Sequence, residues 1–222
     1  MQQSPSGPAT FCAAPADYIV QTYFVLRMVI AGGTLLLPVA LLVWVAVDPE
    51  LAMMGSLSAF YYSPARGLFV GILVAIGVAL VAYRGYTRGE NALLNAAGGF
   101  SILVALFPTG DPAMPGPGWS SAIHAGSAVA FFVAAALSIV VYGQQTLGAL
   151  ADPALRRRYR VVYRVLAVLV VAFPALAVLL TWVAEPSAAL FAGEAAALWS
   201  FAIFWLLKTY ELARSHGQQR VV

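Results

Sequence analysis

The 222-residue chain is 62% hydrophobic and only 9% charged, with a mean hydropathy of +0.86, whereas about a quarter of a typical soluble domain is charged. This composition excludes a water-soluble globular protein. The net charge of +3 does not point to nucleic acid as a partner, because the bases gather at the ends of apolar segments, where the cytoplasmic bias of Lys and Arg accounts for them.

Residues 1–16 are rich in Ser, Pro, Gly and Gln and lack the positively charged start of a cleaved signal, so they read as a flexible cytoplasmic tail. Their Cys12 is the chain's single cysteine, which leaves no intramolecular disulfide and no cysteine-based zinc cluster. Residues 17–23 mix polar and aromatic side chains, as at a membrane interface. Apolar runs then follow at 23–47, 66–86, 91–108, 119–142, 161–184 and 190–210, each close to the roughly 20 residues that one crossing needs. The expected fold is all-α, an integral membrane bundle of about six transmembrane helices spanning residues 17–211, with a cytoplasmic tail at 212–222. Turn-rich stretches such as Pro108-Thr109-Gly110 and Pro115-Gly116-Pro117-Gly118 separate the helices.

Basic residues set the orientation. Arg84 and Arg88 follow the second run, Arg156, Arg157, Arg158 and Arg160 follow the fourth, and Lys208, Arg214 and Arg220 close the chain. The alternate connections carry Asp48, Glu50, Asp111 and Glu185, with Arg66 as the only base near that side. An even number of crossings therefore places both termini in the cytoplasm. In the second helix Gly67 and Gly71 stand at GxxxG spacing, followed by Gly77. A neighbouring helix can approach closely along such a face, either inside the bundle or from a second chain in a homo- or hetero-oligomer. Pro174 is expected to kink the fifth helix.

Ionisable groups in hydrocarbon are costly and mark the candidate site. His124 lies about one turn into the fourth helix, with Ser120, Ser121 and Ser127 on or beside its face. Glu194 lies about one turn into the sixth helix from the same side, and Arg66 opens the second there. The preceding segment adds Ser56, Ser58, Tyr61, Tyr62 and Ser63, and Thr109 and Asp111 reach the same level. A polar pocket among helices two, four and six is expected, with Arg66, Tyr61, Tyr62, His124, Ser127 and Glu194 as ligand-binding candidates. Interfacial tyrosines and a snorkelling arginine are the simpler account of Tyr61 and Arg66 taken singly. Lys208 and Glu211, with Arg27, Arg84 and Arg164, read as interfacial anchors and ion pairs on the opposite side.

Only His124 and His216 are present, too few for a histidine-rich zinc site, and one His with Glu194 and Asp111 is the remaining carboxylate-rich alternative. No metal or cofactor is expected. There is no Gly-x-Ser-x-Gly elbow and no HExxH, Walker or dinucleotide motif.

The segments Ser56-Leu57-Ser58-Ala59-Phe60-Tyr61-Tyr62 with Arg66, Tyr83-Arg84-Gly85-Tyr86, Phe107-Pro108-Thr109, Ile123-His124-Ala125-Gly126-Ser127-Ala128 and Trp205-Leu206-Leu207-Lys208, in that order, resemble a family of small bacterial membrane proteins of unknown function. The resemblance implies six helices in a bacterial inner membrane and gives weight to Ser58, Tyr61, Tyr62, Arg66, His124, Glu194 and Lys208. It implies no activity. The acidic residue that follows the arginine in that family is Gly67 here, so Arg66 lacks that neighbouring carboxylate. A more distant similarity is to the superfamily of alkaline ceramidases and progestin-type receptors, whose zinc-binding histidines this chain does not reproduce.

Three functional readings follow. The first is a protein that binds membrane lipid or a small molecule in the pocket, with Arg66 holding an anionic group. The second is a membrane-embedded lipid hydrolase or transferase, with His124 as general base, Glu194 as its partner or a proton acceptor, and Ser58 or Ser127 as nucleophile. The third is an accessory subunit of a membrane complex. A transporter is disfavoured, since neither an internal repeat nor a discontinuous helix pair is evident.

Overall fold

A computed structural model describes residues 15–48, 50–110, 118–183 and 188–219, with side chains described from 18 to 214 within those spans. Residues 1–14 of the expected tail, with Cys12, lie outside the described residues, as do Asp111, Glu185, Arg220 and the side chains of Asp17 and His216.

The described chain is all-α. Its α-helices are α1 (Pro15–Val47), α2 (Arg66–Ala82), α3 (Arg88–Leu106), α4 (Trp119–Leu137), α5 (Pro153–Val183) and α6 (Ala189–Gln219). Each packs against its neighbours in sequence, and α6 returns to α1, closing a ring. Hydrogen bonds and the five-residue link from α2 to α3 place two sets of helix ends together. The upper end holds the starts of α2, α4 and α6; the lower end holds their far ends.

Local chemistry explains where the helices begin and stop. A 3-10 turn at Ser58–Tyr62 leads into α2, and the Ser63 hydroxyl accepts the Ala65 N–H at 3.2 Å. The second helix stops at Ala82, short of the expected residue 86, because Tyr83 turns to an extended conformation (ψ 122°) and is buried. Thr87 then starts α3 by a capping arrangement: its hydroxyl accepts the Glu90 N–H at 3.2 Å while the Glu90 carboxylate accepts the Tyr86 N–H at 2.7 Å. The fifth helix begins at Pro153 rather than near residue 161. Asp152 Oδ1 accepts the Ala154 N–H at 2.8 Å, and proline at the first helical position needs no donor. The Arg156–Arg160 run is thus helical. The sixth helix likewise continues through most of the segment expected as a tail.

At its lower end α4 passes into a π-helical turn at Ser138–Tyr142, where Gly143 N–H bonds Ser138 O at 2.9 Å. Gly143 is sterically required, since a Cβ there would stand 2.7 Å from Ile139 O and 3.0 Å from the Phe204 ring. Gly77 and Gly98 bring α2 and α3 into backbone contact, each with a Cβ position 2.5–2.7 Å from the other's carbonyl oxygen. Gly67 and Gly71 do not carry this packing. Both are exposed, and a Cβ at either would meet nothing within 4 Å.

The polarity runs opposite to that of a soluble bundle. Arg27, Glu90, His124, Lys208 and Glu211 are buried, whereas Val161, Val165, Val168, Leu179 and Trp182 of α5 face outward. Such a surface suits hydrocarbon. Four helices are long and apolar enough to cross a membrane, at Tyr18–Val47, Trp119–Ala149, Pro153–Val183 and Ala189–Arg214. Two expected spans fall short. The 17 residues of α2 extend about 25 Å against a hydrocarbon core of about 30 Å, and the first two turns of α3 carry Arg88, Glu90, Asn91 and Asn95.

Candidate functional site

Glu194, one turn into α6, is half-buried at the upper end. Its carboxylate Oε2 accepts the Leu57 N–H at 2.8 Å. The same loop holds the helix start through Phe191 N–H to Gly55 O at 3.0 Å and through the Phe60–Phe191 ring contact at 6.0 Å. The carboxylate borders a cavity of about 40 Å³ inside the bundle, with walls drawn from α1, α2, α3, α4, α6 and the 3-10 turn. Most of the wall is apolar, including Phe69, Leu73, Phe131, Phe132 and Leu198, and the polar side chains on it are Ser58, Ser101 and Glu194. Ser101 donates to Leu73 O at 2.9 Å. The Ser58 hydroxyl meets no protein partner among the described residues.

The remaining candidates occupy the same end but not this cavity wall. Arg66 is exposed, stacks on the Tyr61 ring at 4.0 Å and donates to the Tyr61 hydroxyl. Tyr62 donates to Thr109 O at 2.6 Å, tying the loop before α2 to the end of α3. His124 Nδ1 sits 2.8 Å from Phe107 O, and Ser120 donates to Pro108 O at 3.1 Å. Those carbonyls lie just past the end of α3, where helix carbonyls need outside donors. His124 and Ser120 therefore join α3 to α4. Ser127 is buried one turn further in. The structure brings Ser58 and Glu194 to one cavity, whereas no hydrogen bond joins His124 to either among the described residues.

A second polar cluster lies at the lower end. Lys208 and Glu211 form an ion pair at 3.1 Å, with side chains 4% and 0% exposed. Lys208 Nζ also donates to Gly143 O at 2.7 Å and to the Thr146 hydroxyl, so all three of its N–H groups are used. The Thr146 hydroxyl in turn donates to Glu211 Oε1 at 2.5 Å, and Tyr163 donates to Oε2 at 2.7 Å. These bonds join α5 and α6 to the segment that follows α4, and the π-helical turn presents Gly143 O to the lysine. Beside them a void of about 10 Å³ is bordered by Glu90, Ser138, Lys208 and the Tyr83 and Trp205 rings. Trp205 Nε1 is buried without a partner among the described residues, as is Arg27 Nε.

The i,i+3 spacing of Lys208 and Glu211 was visible in the sequence as an ion pair. Its burial was not, because Thr146 and Tyr163 come from distant segments and carry no local signal. Among the described residues, no three His, Cys, Asp or Glu side chains gather where they could hold a metal ion. No family model, no curated protein and no solved structure matches the chain.

Proposed function

We propose that this is a six-span membrane protein of the bacterial inner membrane, with both ends cytoplasmic, that binds a small molecule or lipid at the cavity headed by Glu194. The six-span reading treats α2 and α3 as short crossings, each extended by the polar segments at its ends. Its orientation rests on Arg84, Arg88, Arg156, Arg157, Arg158 and Arg214 lying toward the lower end, against Arg66 at the upper end.

One observation supports binding above all: a carboxylate with no counter-ion among the described residues borders a cavity in the bundle. Natural intramembrane carboxylates are paired or serve a ligand or ion. A cavity of about 40 Å³ takes only the tip of a ligand, because a whole drug-sized molecule needs several hundred Å³. Arg66, exposed at the same end, is placed to hold an anionic part outside. The hydrolase reading has less support, since His124 binds Phe107 O and does not border the cavity.

Native mass spectrometry of protein extracted gently from membranes tests this reading. Wild type should retain a bound species that Glu194→Gln loses. Equal retention by both would remove Glu194 from the binding role.

A further inference from the structure

We infer that the group recognised at Glu194 is a primary ammonium; the inference rests on the binding role proposed for this cavity. Charge points to a cation. The only ion pair among the described residues is Lys208–Glu211, at the opposite end. Glu194 receives a single backbone N–H, from Leu57, and its Oε1 has no protein donor among the described residues. An ionised carboxylate against apolar walls costs several kcal/mol unless a cation or a proton neutralises it.

The wall chemistry suits a cation that carries hydrogens. Phe69, Phe131 and Phe132 border the cavity, and aromatic rings attract cations through their faces. Ser101 spends its proton on Leu73 O, so its oxygen offers lone pairs, and the Ser58 oxygen is free of protein partners among the described residues. Glu194, Ser58 and Ser101 are the acceptors on the wall, the kind of partner that the N–H donors of an ammonium need.

Size is compatible with such a group. A volume of about 40 Å³ exceeds the roughly 10–15 Å³ that a single enclosed water needs, so an ammonium with its first methylene fits. Ala128 and Phe132 on the wall keep partial exposure, which gives the rest of the ligand a way out. A small free amine and the ethanolamine head of a lipid share this chemistry.

The test uses the purified full chain, followed by thermal unfolding in detergent during titration with methylammonium chloride. Tetramethylammonium chloride at equal ionic strength is the control cation without N–H donors. Reconstitution into phosphatidylethanolamine, phosphatidylcholine or phosphatidylglycerol vesicles forms the lipid arm. Methylammonium should raise the unfolding midpoint at concentrations at least about tenfold below those needed for tetramethylammonium, the discrimination that a site accepting N–H donors gives against a cation without them. Glu194→Gln should abolish the shift. Ala128→Leu, which fills the cavity from another wall, should abolish it as well and serves if the first variant does not fold. A Glu194-dependent response to phosphatidylethanolamine but not to methylammonium supports the inference with lipid as the source; a response to methylammonium alone supports it with a free amine. Glu194-dependent stabilisation by phosphatidylglycerol, with none by either amine source, overturns the ammonium class and leaves the binding role standing. No response to any probe overturns both.

Discussion

The sixth helix carries two carboxylates that differ in almost everything except chemistry. Glu211 is fully buried, receives Thr146 and Tyr163 hydroxyls and pairs with Lys208. Glu194, roughly 25 Å away along the helix, receives one backbone N–H and faces a cavity. Both are costly in a membrane, so cost alone does not separate a structural role from a binding one. The partners do. A network whose N–H and O–H donors are all spent and whose two carboxylate oxygens both accept offers a ligand little, and its benefit is to fix α5 and α6 against the segment after α4. A carboxylate with lone pairs to spare and no counter-charge is stabilised by whatever supplies one.

Breaking the saturated cluster should have the largest effect. Lys208→Met leaves Glu211 buried without a cation and should destabilise the fold by about 3–5 kcal/mol, read from reversible unfolding in mixed micelles. Adding Glu211→Gln should recover a large part of that loss, since both charges are then gone; no recovery would mean that packing, rather than charge, holds this end together. A smaller effect sharpens the boundary of the same region. Thr87→Ala removes the cap that starts α3 and holds Glu90 near the cluster, and should cost about 1 kcal/mol while leaving the response to ligands at Glu194 unchanged.

Much of this architecture is legible in the chain. The apolar runs locate all six helices, and the high cost of Glu194 marks it before any coordinates. The start of α5 was legible too, in Asp152-Pro153, but a hydropathy reading passes over it because the following arginines are polar. The end of α2 is harder: Tyr83 leaves the helix to pack between Tyr23 and Trp205, contacts that local sequence does not encode. Gly67 and Gly71 carry the recognisable spacing, yet Gly77 makes the close approach, because only the position of α3 decides which glycine faces a backbone. His124 shows the same limit. Its polar stripe resembles a site lining, and the extended backbone at Phe107, where α3 ends, instead brings Phe107 O within its reach.

The contrast between the two carboxylates is tested most directly by unfolding Glu194→Gln and Glu211→Gln side by side, in the same detergent and without added amine. Neutralising Glu211 should cost several kcal/mol, because it leaves Lys208 as an unpaired buried charge. Neutralising Glu194 should leave stability unchanged or raise it, because it removes a charge that no cation among the described residues balances while keeping an acceptor for the Leu57 N–H. Equal losses at both positions would contradict the account.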